Sequence, residues 1–170
     1  QADREILLKR TLLSWLVNDS DMHRKNIAMM YAFNPETGET KARLSPTYDV
    51  TSEIYMDSRM CLTMSGKKVV NQKSILNFAQ ASLGYSKDEA EEIVRKMCED
   101  VAKRAVEIDQ NQPDLIKDNP EAKYAVGRIA TTVCERVKKL GFATPDHNPT
   151  ALTIKPESCR IGGENFTPMG

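Results

Sequence analysis

Helical periodicity stops at Asn18-Asp19-Ser20-Asp21 and resumes only near Gln72, which splits the chain into one leading helix, a loop-rich middle and a helical remainder. Clustered short polar side chains compete for backbone hydrogen bonds and so break a helix. Before the break, Asp3 to Val17 reads as a helix. Ile6, Leu7, Leu13, Leu16 and Val17 share a broad apolar stripe, and Arg4, Lys9 and Arg10 face solvent. In the middle, Ile27 to Phe33 is apolar and short, more strand than helix. Asn34-Pro35-Glu36-Thr37-Gly38 is a turn, and Thr40 to Leu44 returns as a second strand. Cys61 to Val70 reads as another small hairpin that turns near Ser65-Gly66.

Past the break, Gln72 to Leu83 sets Ile75, Leu76, Phe78 and Ala79 on one helical face, with Gly84 at its C-terminal end. Ser86-Lys87-Asp88-Glu89 fits a capping box and opens a long helix to about Ile108, with Ile93, Met97, Val101 and Val106 as its apolar stripe. Asn119-Pro120 is a cap and first-turn pair for a last helix ending near Gly141. Residues 144–170 carry prolines and glycines without periodicity and are expected to form an extended or disordered tail. The fold class expected is mainly α (α+β), a helical body with small β-hairpins near its start.

Composition narrows the function classes. Lysine plus arginine equals aspartate plus glutamate at 24 each, so net charge points to no phosphate-dominated partner. Cys61, Cys98, Cys134 and Cys159 are far apart with no C-x-x-C pair, which argues against zinc. Four reduced thiols of a cytoplasmic protein is the plain reading. No run reaches the roughly eighteen apolar residues that a membrane helix needs. At 170 residues the chain suits one domain or one lobe of a larger enzyme. It opens on Gln1 rather than methionine and reads as a piece of something longer.

The chemistry concentrates in Asp21-Met22-His23-Arg24-Lys25-Asn26 and Tyr48-Asp49-Val50. An acid lies five residues before an asparagine, a hairpin intervenes, and a second acid follows it. A protein kinase presents its catalytic base, its metal-binding amide and its metal-binding aspartate in this order. Each residue also has an ordinary reading. A loop aspartate such as Asp21 is commonly a turn former, Asn26 could cap backbone, and Asp49 could close an Asx-turn after Ser45-Pro46-Thr47. Read functionally, Asp21 orients or accepts the proton of an attacking hydroxyl, while Asn26 and Asp49 offer oxygen to Mg²⁺. Only His147 accompanies His23, so a histidine-based metal site, or a hydrolase built on Asp21, His23 and Asp49, is the weaker reading. Lys25 is a phosphate-neutralising or a solvated lysine. No glycine-rich phosphate loop and no strand lysine of the V-A-I-K kind occur; if this is kinase machinery, the half that clamps ATP is absent from the sequence.

Three ordered motifs carry a family resemblance. Val17-Asn-Asp-Ser-Asp21-Met-His23-Arg-Lys25-Asn26, Leu44-Ser-Pro-Thr-Tyr48-Asp49-Val-Thr-Ser52 and Leu62-Thr-Met-Ser-Gly66-Lys67 resemble the C-terminal portion of HipA-type toxin kinases. The resemblance covers roughly residues 1–110. It implies the helical C-terminal lobe of a kinase-like fold, a serine/threonine kinase of a toxin–antitoxin module, and ATP and Mg²⁺ as cofactors. It also implies Asp21 as catalytic base, Asn26 and Asp49 as metal ligands, and His23, Lys25, Asn26, Tyr48 and Asp49 as nucleotide-binding residues. The partners implied are a protein substrate such as an aminoacyl-tRNA synthetase, a helix-turn-helix antitoxin, and operator DNA through the antitoxin complex. Residues 1–143 are then the lobe, with a catalytic loop at 18–26, a metal-binding segment at 44–52 and a helical subdomain at 71–141. Residues 144–170 are the tail. Asn18-Asp19 departs from the family's usual Gly-Asn. Arg95-Lys96 falls where a DNA-contacting pair would sit, but the acids around it favour a salt-bridged helix face. The rival from another class is an antitoxin- or DNA-binding module with a non-catalytic acidic loop.

Overall fold

The computed structural model describes residues 2–54 and 70–149. Of the hairpin expected over Cys61–Val70 all but Val70, and of the tail expected over residues 144–170 all beyond Pro149, lie outside the described residues; 144–149 are described and have no regular secondary structure. Helix α1 spans Ala2–Leu16 and opens on Asp3 and Glu5, whose charges suit the positive end of the helix dipole. It closes in a Schellman motif: Asp19 N donates to Ser14 O at 2.8 Å and Asn18 N to Trp15 O at 3.2 Å. Asn18 takes the left-handed position there, at φ 62°. Asparagine tolerates that region better than most side chains.

The buried face of α1 differs from the expected stripe. Leu8, Leu12, Trp15 and Leu16 point inward, whereas Ile6 is 43% exposed. Adjacent leucines at 7–8 and 12–13 each offer two directions about 100° apart, and packing against the later helices selects between them. Arg10, expected in solvent, is buried, and its Nη2 donates to the Ser45 carbonyl.

Strands β1 (Met29–Phe33) and β2 (Thr40–Leu44) pair antiparallel, from Met29 opposite Leu44 to Phe33 opposite Thr40. Gly38 at φ 69° and the Gly38 N to Asn34 O bond of 2.8 Å close the turn. Every residue of β1 is exposed.

Helix α2 (Gln72–Asn77) is capped by Asn71, whose side chain accepts from Ser74 N, and it runs on through a π-helical turn to Ser82. Gly84, at φ 74°, ends it. Helix α3 (Lys87–Gln110) starts on the Ser86–Glu89 capping box with both reciprocal bonds present. A short α4 (Asp114–Lys117), absent from the sequence reading, precedes α5 (Pro120–Lys139), where the Asn119 side chain accepts from Ala122 N.

Helix α3 packs chiefly on α5, and both touch α1. The inward line of α3 is Ala90, Val94, Cys98, Ala102 and Val106, while Ile93, Met97 and Val101 are only half-buried. The expected stripe thus lies to one side of the true one. Small residues set how closely two helices approach, so the closest seam here takes alanine and cysteine and leaves larger side chains at its margin. Leu8, Leu12, Leu16, Ile75, Val133 and Val137 join the same core. Beyond α5 the chain runs back without regular structure, and His147 Nε2 lies 2.9 Å from Asp109 Oδ2, both side chains buried.

Candidate active site

The loop after α1 gets its shape from alternating burial. Met22 is 2% exposed and anchors in the core, so its neighbours Asp21 and His23 point outward. Asp19, also 2% exposed, holds the loop from beneath: its Oδ1 accepts from the Asp21 backbone N at 3.1 Å. A 3₁₀ turn over Arg24–Asn26 then brings Asn26 inward. The Asn26 Oδ1 accepts from His23 N at 2.8 Å, which fixes the amide plane.

The second half of the site comes from the chain after β2. Asp49 sits at φ 55°, a left-handed conformation that a non-glycine residue occupies only when its surroundings hold it there. That backbone turn aims the carboxylate back at the loop. Asn26 Nδ2 donates to Asp49 Oδ2 at 2.8 Å, joining residues 23 apart in sequence. Beside it, the Tyr48 hydroxyl donates to the Lys25 carbonyl. Further on, Thr51 Oγ1 donates to Asp19 Oδ1 at 3.0 Å and Ser52 Oγ to Val17 O at 2.6 Å. The loop and the segment are laced together from Val17 to Glu53.

The structure therefore places Asp21, His23, Lys25, Asn26, Tyr48 and Asp49 on two adjoining stretches, with Asn26 buried and the other five exposed. Asn26 and Asp49 touch directly, and Tyr48 meets the Lys25 backbone. An asparagine and an aspartate in contact are residue types that suit Mg²⁺, an ion that takes a few hard oxygens and lets phosphates and waters complete its shell. Here Asn26 turns its Nδ2 to Asp49 and its Oδ1 to His23 N, so holding the ion requires the amide to turn its oxygen towards the Asp49 carboxylate. Among the described residues no cluster of three His, Cys, Asp or Glu forms a self-sufficient metal cage. No described helix is long and apolar enough to cross a membrane.

Arg95 and Lys96 stand apart from this site on α3. Arg95 donates to Glu92 at 2.7 Å and to Glu99 at 2.7 Å, and these hydrogen bonds, Glu92's foremost, hold its pKa above the usual arginine value. Lys96 lines a shallow cleft with Glu5, Lys9, Glu92 and Asp100.

Four residues matter here to which the sequence assigned no role. Asp19 and Thr51 look like ordinary loop residues, and Ser52 donates only to backbone. Arg136, far along α5, donates from Nη2 to Asn18 Oδ1 at 2.6 Å and from Nη1 to the Trp15 carbonyl. The departure at Asn18-Asp19 was the one available signal. Asn18 supplies the left-handed backbone that a glycine would otherwise supply, and Asp19 supplies the buried acceptor beneath Asp21.

A family model described as the HipA-like C-terminal domain matches residues 1–105. That span contains both stretches of the site and ends within α3, leaving α5 beyond it. No curated protein and no solved structure matches the chain.

Proposed function

The chain belongs to the family of HipA-like C-terminal domains, and on that premise we propose that it is the catalytic lobe of a serine/threonine protein kinase. The observation that carries the reading is the Asn26–Asp49 contact of 2.8 Å, with Asp21 exposed on the same loop. Phosphoryl transfer asks for positioning and charge neutralisation rather than covalent chemistry, and these are the groups that supply them.

In this mechanism the Asp21 carboxylate accepts the proton of a serine or threonine hydroxyl. The hydroxyl oxygen bonds to the γ-phosphorus of ATP as the bond to the β–γ bridging oxygen breaks, releasing ADP. Asn26 and Asp49 would hold Mg²⁺, which when bound offsets the phosphate charge. Lys25 stands at the exposed rim, where its ammonium can meet phosphate oxygens, and Tyr48 steadies the backbone beneath it. His23, exposed next to Asp21, completes the nucleotide-facing edge. A separate lobe would supply the phosphate-cradling loop. The biological setting that follows is a cytoplasmic toxin of a toxin–antitoxin module, acting on a protein such as an aminoacyl-tRNA synthetase. A helix-turn-helix antitoxin would restrain it and bring operator DNA near.

Binding of a non-hydrolysable ATP analogue to the full-length protein, with and without Mg²⁺, tests the assignment. Asp49→Ala is expected to weaken the Mg²⁺-dependent affinity by roughly tenfold or more, the scale of losing a metal ligand or its support. Asp21→Ala is expected to leave it unchanged. Wild-type affinity in Asp49→Ala would overturn the metal assignment.

A further inference from the structure

Helix α5 lies beyond the residues that carry the family match, yet it reaches into the loop. Arg136 is 4% exposed and makes three contacts with the end of α1. Its Nη2 donates to Asn18 Oδ1 at 2.6 Å, its Nη1 donates to the Trp15 carbonyl, and its guanidinium centre lies 5.4 Å from the Trp15 ring centroid. These contacts grip the left-handed residue from which the loop departs.

Asn18 passes the constraint onward. Its Nδ2 donates to the Glu53 carbonyl, and Glu53 N donates to the Asn18 carbonyl at 3.0 Å. Glu53 lies four residues past Asp49 in the sequence. A second arginine of α5 holds the same segment, with Arg128 Nε 3.4 Å from the Ile54 carbonyl.

Stability alone does not account for this choice of residues. A glycine at position 18 would end α1 in the same motif, but it could accept nothing from Arg136. Burying a guanidinium is costly, and an apolar side chain of similar volume often stabilises a fold as well or better. What the arginine adds is direction. Its planar fork fixes two acceptors at once, the Trp15 carbonyl and the Asn18 side chain.

We propose that Arg136 is a positioning residue for phosphoryl transfer, acting through Asn18. Helix α5 thereby sets where the Asp21–Asn26 loop leaves α1 and, through Glu53, where the Asp49 segment lies against it. The inference rests on the kinase reading above.

A double-mutant cycle in the full-length protein tests it, with Arg136→Met, Asn18→Gly and the pair. Labelled γ-phosphate leaving Mg·ATP is followed at a temperature where circular dichroism shows each variant folded. Rates are normalised to the number of ATP-analogue sites. Arg136→Met is expected to lower kcat roughly tenfold to a hundredfold, as a small misplacement of a reacting group does, with a smaller change in KM for Mg·ATP. The pair is expected to lose little more than Asn18→Gly alone, because both changes cut the same link. Additive losses, or an unchanged kcat in Arg136→Met, would overturn the proposal. Should Arg136→Met not fold, Asn18→Gly carries the test, and wild-type kcat in that variant would overturn it. A wild-type protein that moves no γ-phosphate overturns the kinase reading, and this role falls with it.

Discussion

Asn18 meets two demands with one side chain. Its backbone turns left-handed at φ 62° to end α1, and its amide bridges Arg136 to Glu53. Asp49 carries a similar strain at φ 55° and spends it on meeting Asn26. Because asparagine accepts that conformation as readily as aspartate, Asp49→Asn should melt within about 0.5 kcal/mol of wild type. Its Mg²⁺-dependent nucleotide affinity should nonetheless fall. Calorimetry and titration of one preparation check both, and a large loss of stability would make Asp49 a structural residue instead. Away from the site, burial pushes the Cys98 thiol up to about 12 from an ordinary 9.0, with Glu99 adding to the shift. A raised thiol pKa means the neutral form is favoured in the fold. That contribution is whole below pH 9.0, where unfolded Cys98 titrates, and drains away as pH climbs towards 12. Cys98 should therefore resist a thiol reagent in native protein near neutral pH and react once denaturant is added. Fast native labelling of Cys98 would contradict its placement in the core.

At the scale of elements, the helix starts are set by local chemistry. Ser86 accepts from Glu89 N at 3.3 Å, and the Glu89 carboxylate accepts back from Ser86 N at 2.9 Å. Hydrogen bonds from Ser86 backbone, then side chain, hold Glu89 below its ordinary pKa, so this cap weakens as pH falls through the carboxylate range. Ser86→Ala and Asn119→Ala should each cost about 1 kcal/mol of unfolding free energy, nearly additively, as measured by denaturant titration. No loss in either would mean the ends of α3 and α5 fray freely. Locality also explains what could be read from sequence. The β1–β2 hairpin, the Ser86 box, the Asn119-Pro120 start and the glycine stops at 84 and 141 are each written within a few residues. Which face of α1 and α3 turns inward is not, since adjacent apolar residues permit two answers and only the partner helix decides. Arg10 and Arg136 were hidden for the same reason: charged residues are expected outside, and their acceptors lie 35 and 118 or more residues away.

For the whole molecule, the site is a place where three distant parts of the chain converge. The loop follows α1, the Asp49 segment follows the hairpin, and α5 braces both through Arg136 and Arg128. Sequence spacing alone could nominate Asp21, Asn26 and Asp49, because kinases keep that order. The brace was invisible, since nothing near residue 136 marks it as facing a loop. Met30, Tyr31 and Phe33 stand 52%, 70% and 65% exposed on a ribbon of two strands. Such a ribbon has little stability by itself. The most direct measurement is transfer of labelled γ-phosphate from Mg·ATP to a protein hydroxyl by full-length wild type and Asp21→Ala, with analogue binding measured alongside. The expected result is transfer by wild type and binding without transfer by Asp21→Ala. Undiminished transfer in Asp21→Ala, or none in wild type, would contradict the assignment of this loop as a phosphotransfer site.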